Sequence, residues 1–229
     1  WGKPGSCYAW APSCPYSGAV LVLDRDKSDG SLKFSEIHKQ GEDGVDGIEK
    51  GAGSLIISPD QKNLYVASEE GLASFSRDLA TGKLTFLGVH KDSSDGPVYM
   101  FGDSALAFSP DGNFLYVGGT YSESIAAFKR DQETGSLEHV SSYTDLGTKG
   151  PHGIAITPDG RHMYVTFPSA GRMKLFVRDQ NTGALVESGI LQNMSYLEEN
   201  TGVLVSTDGQ FVYATGGYDI GDTRYVGTL

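Results

Sequence analysis

An all-β chain of repeated four-stranded antiparallel units is the fold class this sequence predicts, and three observations predict it. One block of sequence returns about every fifty residues. Each copy sets turn signals between short apolar runs. The composition is rich in glycine (31) and in tyrosine and phenylalanine (12 and 10), while charged residues are only 21%. That balance suits short strands and tight turns, and it opposes disorder, which goes with few aromatics and high charge.

The repeat has two parts. The first reads Ser54-Leu-Ile-Ile-Ser-Pro-Asp to Leu64-Tyr-Val-Ala, then Ala105-Leu-Ala-Phe-Ser-Pro-Asp-Gly to Leu115-Tyr-Val-Gly. It returns as Gly153-Ile-Ala-Ile-Thr-Pro-Asp-Gly to Met163-Tyr-Val-Thr and Gly202-Val-Leu-Val-Ser-Thr-Asp-Gly to Val212-Tyr-Ala-Thr. The shared Asp60, Asp111, Asp159 and Asp208 lie 51, 48 and 49 residues apart. The second part is Phe75-Ser-Arg-Asp with Thr81-Gly-Lys-Leu, Phe128-Lys-Arg-Asp with Thr134-Gly-Ser-Leu, and Phe176-Val-Arg-Asp with Thr182-Gly-Ala-Leu. An N-terminal copy reads Leu23-Asp-Arg-Asp with Asp29-Gly-Ser-Leu.

Each unit predicts an apolar strand, a Pro-Asp-Gly turn, and a second strand with alternating faces, Leu64 and Val66 against Tyr65. A third strand ends at Arg-Asp, and a Thr-Gly or Asp-Gly turn leads into a fourth. Four antiparallel strands at this period form a β-propeller blade, which buries both faces only between neighbours. Read as one domain over 1–229, the chain holds a partial blade at 1–43, blades at about 48–94, 103–143 and 151–191, and a partial blade at 199–229. The first supplies only later strands and the last only early ones.

The Ser-Pro-Asp-Gly…Leu-Tyr-Val unit followed by Arg-Asp…Thr-Gly-Leu resembles the YVTN-repeat, lactonase-like propellers, including the 6-phosphogluconolactonase-like family, over about residues 18 to 217. The resemblance implies a seven-bladed ring, which at about fifty residues a blade needs roughly 340 residues. The chain is then a section of a larger propeller. The alternative is that its split end blades complete one another, within a small ring or between copies. It starts at Trp1 without a signal-type segment, which fits a removed leader or a piece of a longer product.

A formal net charge of −11 would repel a phosphate backbone, which argues against nucleic-acid binding. No window approaches eighteen consecutive apolar residues, so no membrane span is expected. Cys7 and Cys14, in a Pro/Gly/Ser-rich segment, suggest a small disulfide loop and a secreted or extracytoplasmic location; two unpaired thiols are the alternative. Asn193-Met-Ser195 is a glycosylation sequon.

Loops between blades, and between second and third strands, should gather on one face around the channel mouth. They carry Asp46, Glu49, Asp95, Asp145, Asp219 and Asp222, with Tyr121 and Tyr218 beside them. Such an acidic face suits calcium or a cationic ligand, and the competing reading is a solvated rim. Aromatics at loops suit carbohydrate or protein contact. The run Asp24 to Glu36 looks like a calcium loop, but its glycine and glutamate each fall one place late.

Lactonase-type propellers have a Pro-His pair before an inner strand, as Pro151-His152 is here. That resemblance implies His152 as general base or carbonyl polariser, Arg172 as holder of an oxyanion or carboxylate, and Glu123 and Asp103 as acidic partners. After Tyr164-Val165 the sequence reads Thr-Phe-Pro-Ser-Ala-Gly where the family has an acidic stretch, which favours a structural histidine. No nucleophile elbow, phosphate loop, zinc-type cluster or Cys-Xaa-Xaa-Cys is present. The leading expectation is therefore an extracytoplasmic propeller that binds a ligand or protein through its acidic loop face without catalysis and without a cofactor. A lactonase-like hydrolase acting on a sugar lactone is the first alternative, and a structural protein assembling by blade complementation is the second.

Overall fold

The computed structural model describes residues 18–49, 52–68, 71–91, 105–119, 123–144, 150–167, 171–191, 202–219 and 225–228. Three four-stranded antiparallel sheets form its centre. The first holds β3 (Ala52–Ile57), β4 (Asn63–Ser68), β5 (Gly71–Arg77) and β6 (Leu84–Lys91). The second holds β7 (Ala105–Phe108), β8 (Phe114–Gly119), β9 (Ser124–Arg130) and β10 (Leu137–Tyr143). The third holds β11 (Gly153–Ile156), β12 (His162–Phe167), β13 (Arg172–Arg178) and β14 (Leu185–Leu191). A hairpin of β1 (Ala19–Arg25) and β2 (Leu32–Lys39) precedes them. Two strand pairs follow, β15 (Val203–Val205) with β16 (Val212–Ala214), and β17 (Gly216–Asp219) with β18 (Tyr225–Thr228). Among the described residues there is no helix. The chain is thus an all-β partial propeller.

The turn signals work through side chains. In the Ser-Pro-Asp turn the Ser58 hydroxyl donates to Asp60 Oδ1 at 2.6 Å and accepts from the Asn63 amide at 3.0 Å. Ser109 with Phe114, and Thr157 with His162, repeat that arrangement. In the second turn Asp131 and Asp179 accept backbone amides two and three residues ahead, capping the bend. The calcium-like run Asp24 to Glu36 is an ordinary hairpin, with Asp26 and Asp29 accepting the amides of Ser28 and Ser31.

Sheets stand face to face, with their innermost strands β3, β7, β11 and β15 side by side. The alternation expected on β4 became two-sided burial. Tyr65 packs with Leu115, Val117 and Phe128 of the next sheet, while Val66 packs with Val20, Val45 and Ile48 on the other side. Both faces of β4 are dry because the first sheet is sandwiched between the segment holding Val20, Val45 and Ile48 and the second sheet.

Polar contacts across these faces use the repeat itself. The Tyr65 hydroxyl donates to the Gly135 carbonyl at 2.7 Å and accepts from Arg130 Nε at 3.1 Å, both in the following sheet. Arg130 continues to the Asp60 carboxylate at 2.9 and 3.0 Å. One sheet later Tyr116 donates to Gly183 at 2.9 Å and accepts from Arg178 Nε at 2.6 Å. There Phe114 takes the place of Asn63, and the Arg178 guanidinium lies 5.0 Å from its ring centroid. Tyr-Val, Arg-Asp and Thr-Gly are thus three parts of one inter-blade latch.

Candidate functional site

The end of the third sheet brings two of the predicted residues together. The His152 amide donates to the Thr166 carbonyl at 3.1 Å, and Gly153 pairs with Thr166, so His152 enters the sheet level with Phe167. Phe167 in turn pairs with Arg172, the first residue of β13. His152, Phe167 and Arg172 thus occupy one row across three strands. Two strand spacings separate the outer pair, roughly 10 Å of backbone. Phe167 is fully buried between His152 and Arg172, which are both half-buried.

The Pro-His pair is held by the preceding blade. Pro151 is buried, and a Cβ on Gly118 of β8 would lie 2.4 Å from its ring. Only glycine admits the proline there, so Gly118 sets where His152 starts. On the other side Gly153 approaches β15, where an added Cβ would meet the Val203 amide nitrogen at 3.1 Å. Glu123 is exposed, has a φ of 52°, and directly precedes β9 in the second sheet. It therefore shares the second-to-third-strand edge with Arg172 in the neighbouring blade.

Sequence reasoning passed over Thr166. Its hydroxyl is fully buried and, among the described residues, has no hydrogen-bond partner. The signal was available in the repeat, because the same position is Ala67 and Gly118 in the two preceding blades. The following repeat has Thr215 there, which is exposed, so among the described residues of the four repeats the hydroxyl is buried at this position in the blade that has the Pro-His pair.

Among the predicted loop residues, Asp46 and Glu49 are committed to local contacts. Lys91 Nζ lies 2.7 Å from Asp46 Oδ2, and Gln40 Nε2 donates to Asp46 at 2.9 Å and to Glu49 at 3.1 Å. Lys91 and Gln40 hold the Asp46 carboxyl below its usual range. Gln40 Oε1 also accepts the Ile48 amide at 3.0 Å, so these side chains fasten the loop between blades. Tyr218 and Asp219 lie in β17, paired with Val226 and Tyr225, where the sequence suggested a loop. Among the described residues no three His, Cys, Asp or Glu gather as a metal site. Asp95, Asp103, Tyr121, Asp145, Asn193, Asp222, Cys7 and Cys14 lie outside the described residues.

Comparison with known proteins adds sequence to this geometry. Residues 98–205 match the family described as "Lactonase, 7-bladed beta-propeller", a span containing Glu123, His152 and Arg172. A 6-phosphogluconolactonase of Formosa agariphila is 34% identical over 90 residues, 38% of this chain and 24% of that protein. A protein of Arthroderma benhamiae named as a probable 6-phosphogluconolactonase is 30% identical over 129 residues, 53% of this chain and 31% of its own. The solved structure of a Bacteroides uniformis protein, provisionally named a 6-phosphogluconolactonase, superposes with a TM-score of 0.63 at 22% identity, covering 76% of this chain and 48% of that one. The chain thus spans about a quarter to a third of the two sequence relatives and about half of the solved one. Repeat, sheet topology and sequence similarity agree: the chain is an all-β partial propeller that is similar to the lactonase-like propellers.

Proposed function

We propose that this chain carries part of the catalytic rim of a lactonase-like hydrolase that opens a sugar lactone. The observation that carries the reading is the family match over residues 98–205, which contains the row that has His152 at one end and Arg172 at the other. Hydrolysis adds water to the lactone carbonyl, breaks the ring C–O bond, and yields a carboxylate, a hydroxyl and one released proton. His152, half-buried at the blade end, is suited to take the proton from the attacking water. Arg172 supplies a permanent positive charge for the oxygen that becomes anionic, or for an acidic group on the sugar. Glu123 and Asp103 are the acidic partners in this proposal. The purely binding alternative has less support, since Asp46 and Glu49 already serve Gln40 and Lys91. Export with a Cys7–Cys14 disulfide, and glycosylation at Asn193, remain part of the proposal; intact mass before and after reduction tests the disulfide.

The test is proton release from glucono-1,5-lactone and its 6-phosphate, measured above spontaneous hydrolysis. The expected result is turnover that falls about 100-fold or more in His152→Ala and Arg172→Ala, typical of losing a proton-transfer or charge-stabilising group. Folded variants that retain full turnover would sink the assignment.

A further inference from the structure

We propose that Gly118, in a sheet that carries neither His152 nor Arg172, is a positioning residue for His152, acting through the rigid ring of Pro151. Its effect on turnover rests on the hydrolase reading. Its geometry rests on the contacts between the second and third sheets alone.

One face of β8 meets the third sheet. Phe114, Tyr116 and Gly118 alternate along that strand, and each touches a residue of the next blade. The Phe114 ring centroid lies 5.0 Å from the Arg178 guanidinium. The Tyr116 hydroxyl accepts from Arg178 Nε at 2.6 Å and donates to the Gly183 carbonyl at 2.9 Å. Arg178 ends β13, the strand that Arg172 begins. Two residues beyond Tyr116, Gly118 abuts Pro151. A single strand of the second sheet thus fastens both β13 and the chain that leads into His152.

At Gly118 the fit is tight. A Cβ there would lie 2.4 Å from Pro151 Cγ and 3.1 Å from Pro151 Cβ, while the next atom, Ile154 Cδ1 at 3.2 Å, is the free end of a side chain. Ordinary contact begins at 3.4 Å, so the proline ring would have to retreat by about 1 Å. That ring is bonded to the backbone at both N and Cα, and it cannot swing aside as an open side chain does. Its retreat moves the 151–152 peptide bodily. Strand β8 itself does not require glycine here. The equivalent residue of β4 is Ala67, also fully buried, so the proline is what opposes a methyl group at Gly118.

The chain just after His152 has no slack to absorb that movement. Gly153 is closely packed, since a Cβ there would lie 2.8 Å from Thr166 Oγ1 and 3.1 Å from the Val203 amide nitrogen. The displacement is therefore taken up at His152, whose amide donates to the Thr166 carbonyl at 3.1 Å and whose side chain is half-buried at the blade end. A misplacement of about 1 Å, introduced away from the chemistry, costs on the order of 100-fold in rate. Arg172 belongs to β13, which Tyr116 holds through Arg178 without involving Pro151. The loss thus falls on proton transfer by His152 and spares binding by Arg172.

The experiment compares Gly118→Ala, Pro151→Ala and the double variant in the whole protein. It reads turnover of glucono-1,5-lactone and the imidazole Cε1–H NMR signal of His152, assigned by its loss in His152→Gln. Gly118→Ala is expected to shift that signal and to lower kcat about 100-fold with KM little changed. Pro151→Ala, which frees the chain from Gly118 without a clash, shifts the signal and lowers kcat by less. In the double variant both readouts return to the Pro151→Ala level, because the ring atom in the way is gone. A general loss of stability gives neither that split nor that rescue. An unmoved signal with full kcat in Gly118→Ala overturns the proposal, and so does a double variant as impaired as Gly118→Ala. If Gly118→Ala does not fold, Pro151→Ala carries the test, and an unmoved signal with full kcat there overturns it. A signal that moves and returns as expected, with full turnover in His152→Gln, supports the placement and sinks the hydrolase reading instead.

Discussion

The Tyr65 hydroxyl donates to the Gly135 carbonyl across the gap between two blades, 70 residues apart in the chain and 2.7 Å apart in space. The same hydroxyl accepts from the buried guanidinium of Arg130. Replacing Tyr65 or Tyr116 with Phe should therefore lower stability by about 1–3 kcal/mol, the cost of leaving buried partners unsatisfied. Arg130→Ala should cost more, about 3–5 kcal/mol, since it removes the charged member of a largely buried pair. Urea unfolding midpoints at constant slope measure each effect.

Gly135 and Gly183 admit no side chain. Beyond their positive φ, a Cβ would lie 2.0 Å from Asn63 Nδ2 in the first case and 2.4 Å from the Phe114 ring in the second. Gly82 has the same backbone (φ 75°) with nothing nearby. Gly82→Ala should cost only the conformational strain, about 1–2 kcal/mol. Gly183→Ala should cost roughly 1–3 kcal/mol beyond that, the scale of overpacking. Equal losses at both positions would show that the interface does not press on the turn.

Acid should loosen the blades through Asp60. Burial works to raise its carboxyl, but the Ser58 hydroxyl and the Arg130 guanidinium outweigh it and bring the value down from 3.8 to about 2. The folded state thus releases this proton more readily than the unfolded chain. The resulting stability is fully present above pH 3.8 and is lost as pH falls from about 4 towards 2. Asp60→Asn should flatten that part of the stability–pH curve.

Alkali acts on the other latch. Burial raises the Tyr116 hydroxyl from 10.0 to about 12, against the opposing charge of Arg178. Between those values the unfolded chain has lost the proton that the folded one keeps. Stability should fall as pH rises from 10 to 12, and Tyr116→Phe should remove that slope. Unfolding midpoints at pH 9 and 11 distinguish the two.

Burial also lowers the titration of His90, whose ring lies 5.2 Å from that of Phe128 across a blade interface, with His139 on the same Phe. Its neutral form belongs to the folded state, so its contribution is present above pH 6.5 and declines as pH falls below it. His90→Gln should weaken the pH dependence between 5 and 7, read from thermal midpoints.

Strand order and turn positions were legible because they are local. Pro-Asp-Gly and Thr-Gly set dihedrals within four or five residues, and Ser58 or Asp131 satisfies the bend from inside it. The candidate site was legible only in outline. Pro151-His152 was visible as a pair, whereas Thr166 stood out only by comparison with Ala67 and Gly118, and the hold of Gly118 on Pro151 is a contact between blades.

The sequence by itself determined that the chain is a series of four-stranded repeats, since each repeat encodes its own turns and its own apolar runs. Only the tertiary structure decided what the repeated letters are for. Tyr65, Arg130 and Gly135 form one latch only because sheets stack face to face, and a spacing along the chain does not specify which atoms meet across that gap. The same packing decided that Asp46 and Glu49 fasten a loop, and that His152 and Arg172 share one edge. Burial, strand register and the approach of one backbone to another are properties of neighbours in space, and those exist only once the blades have closed on each other.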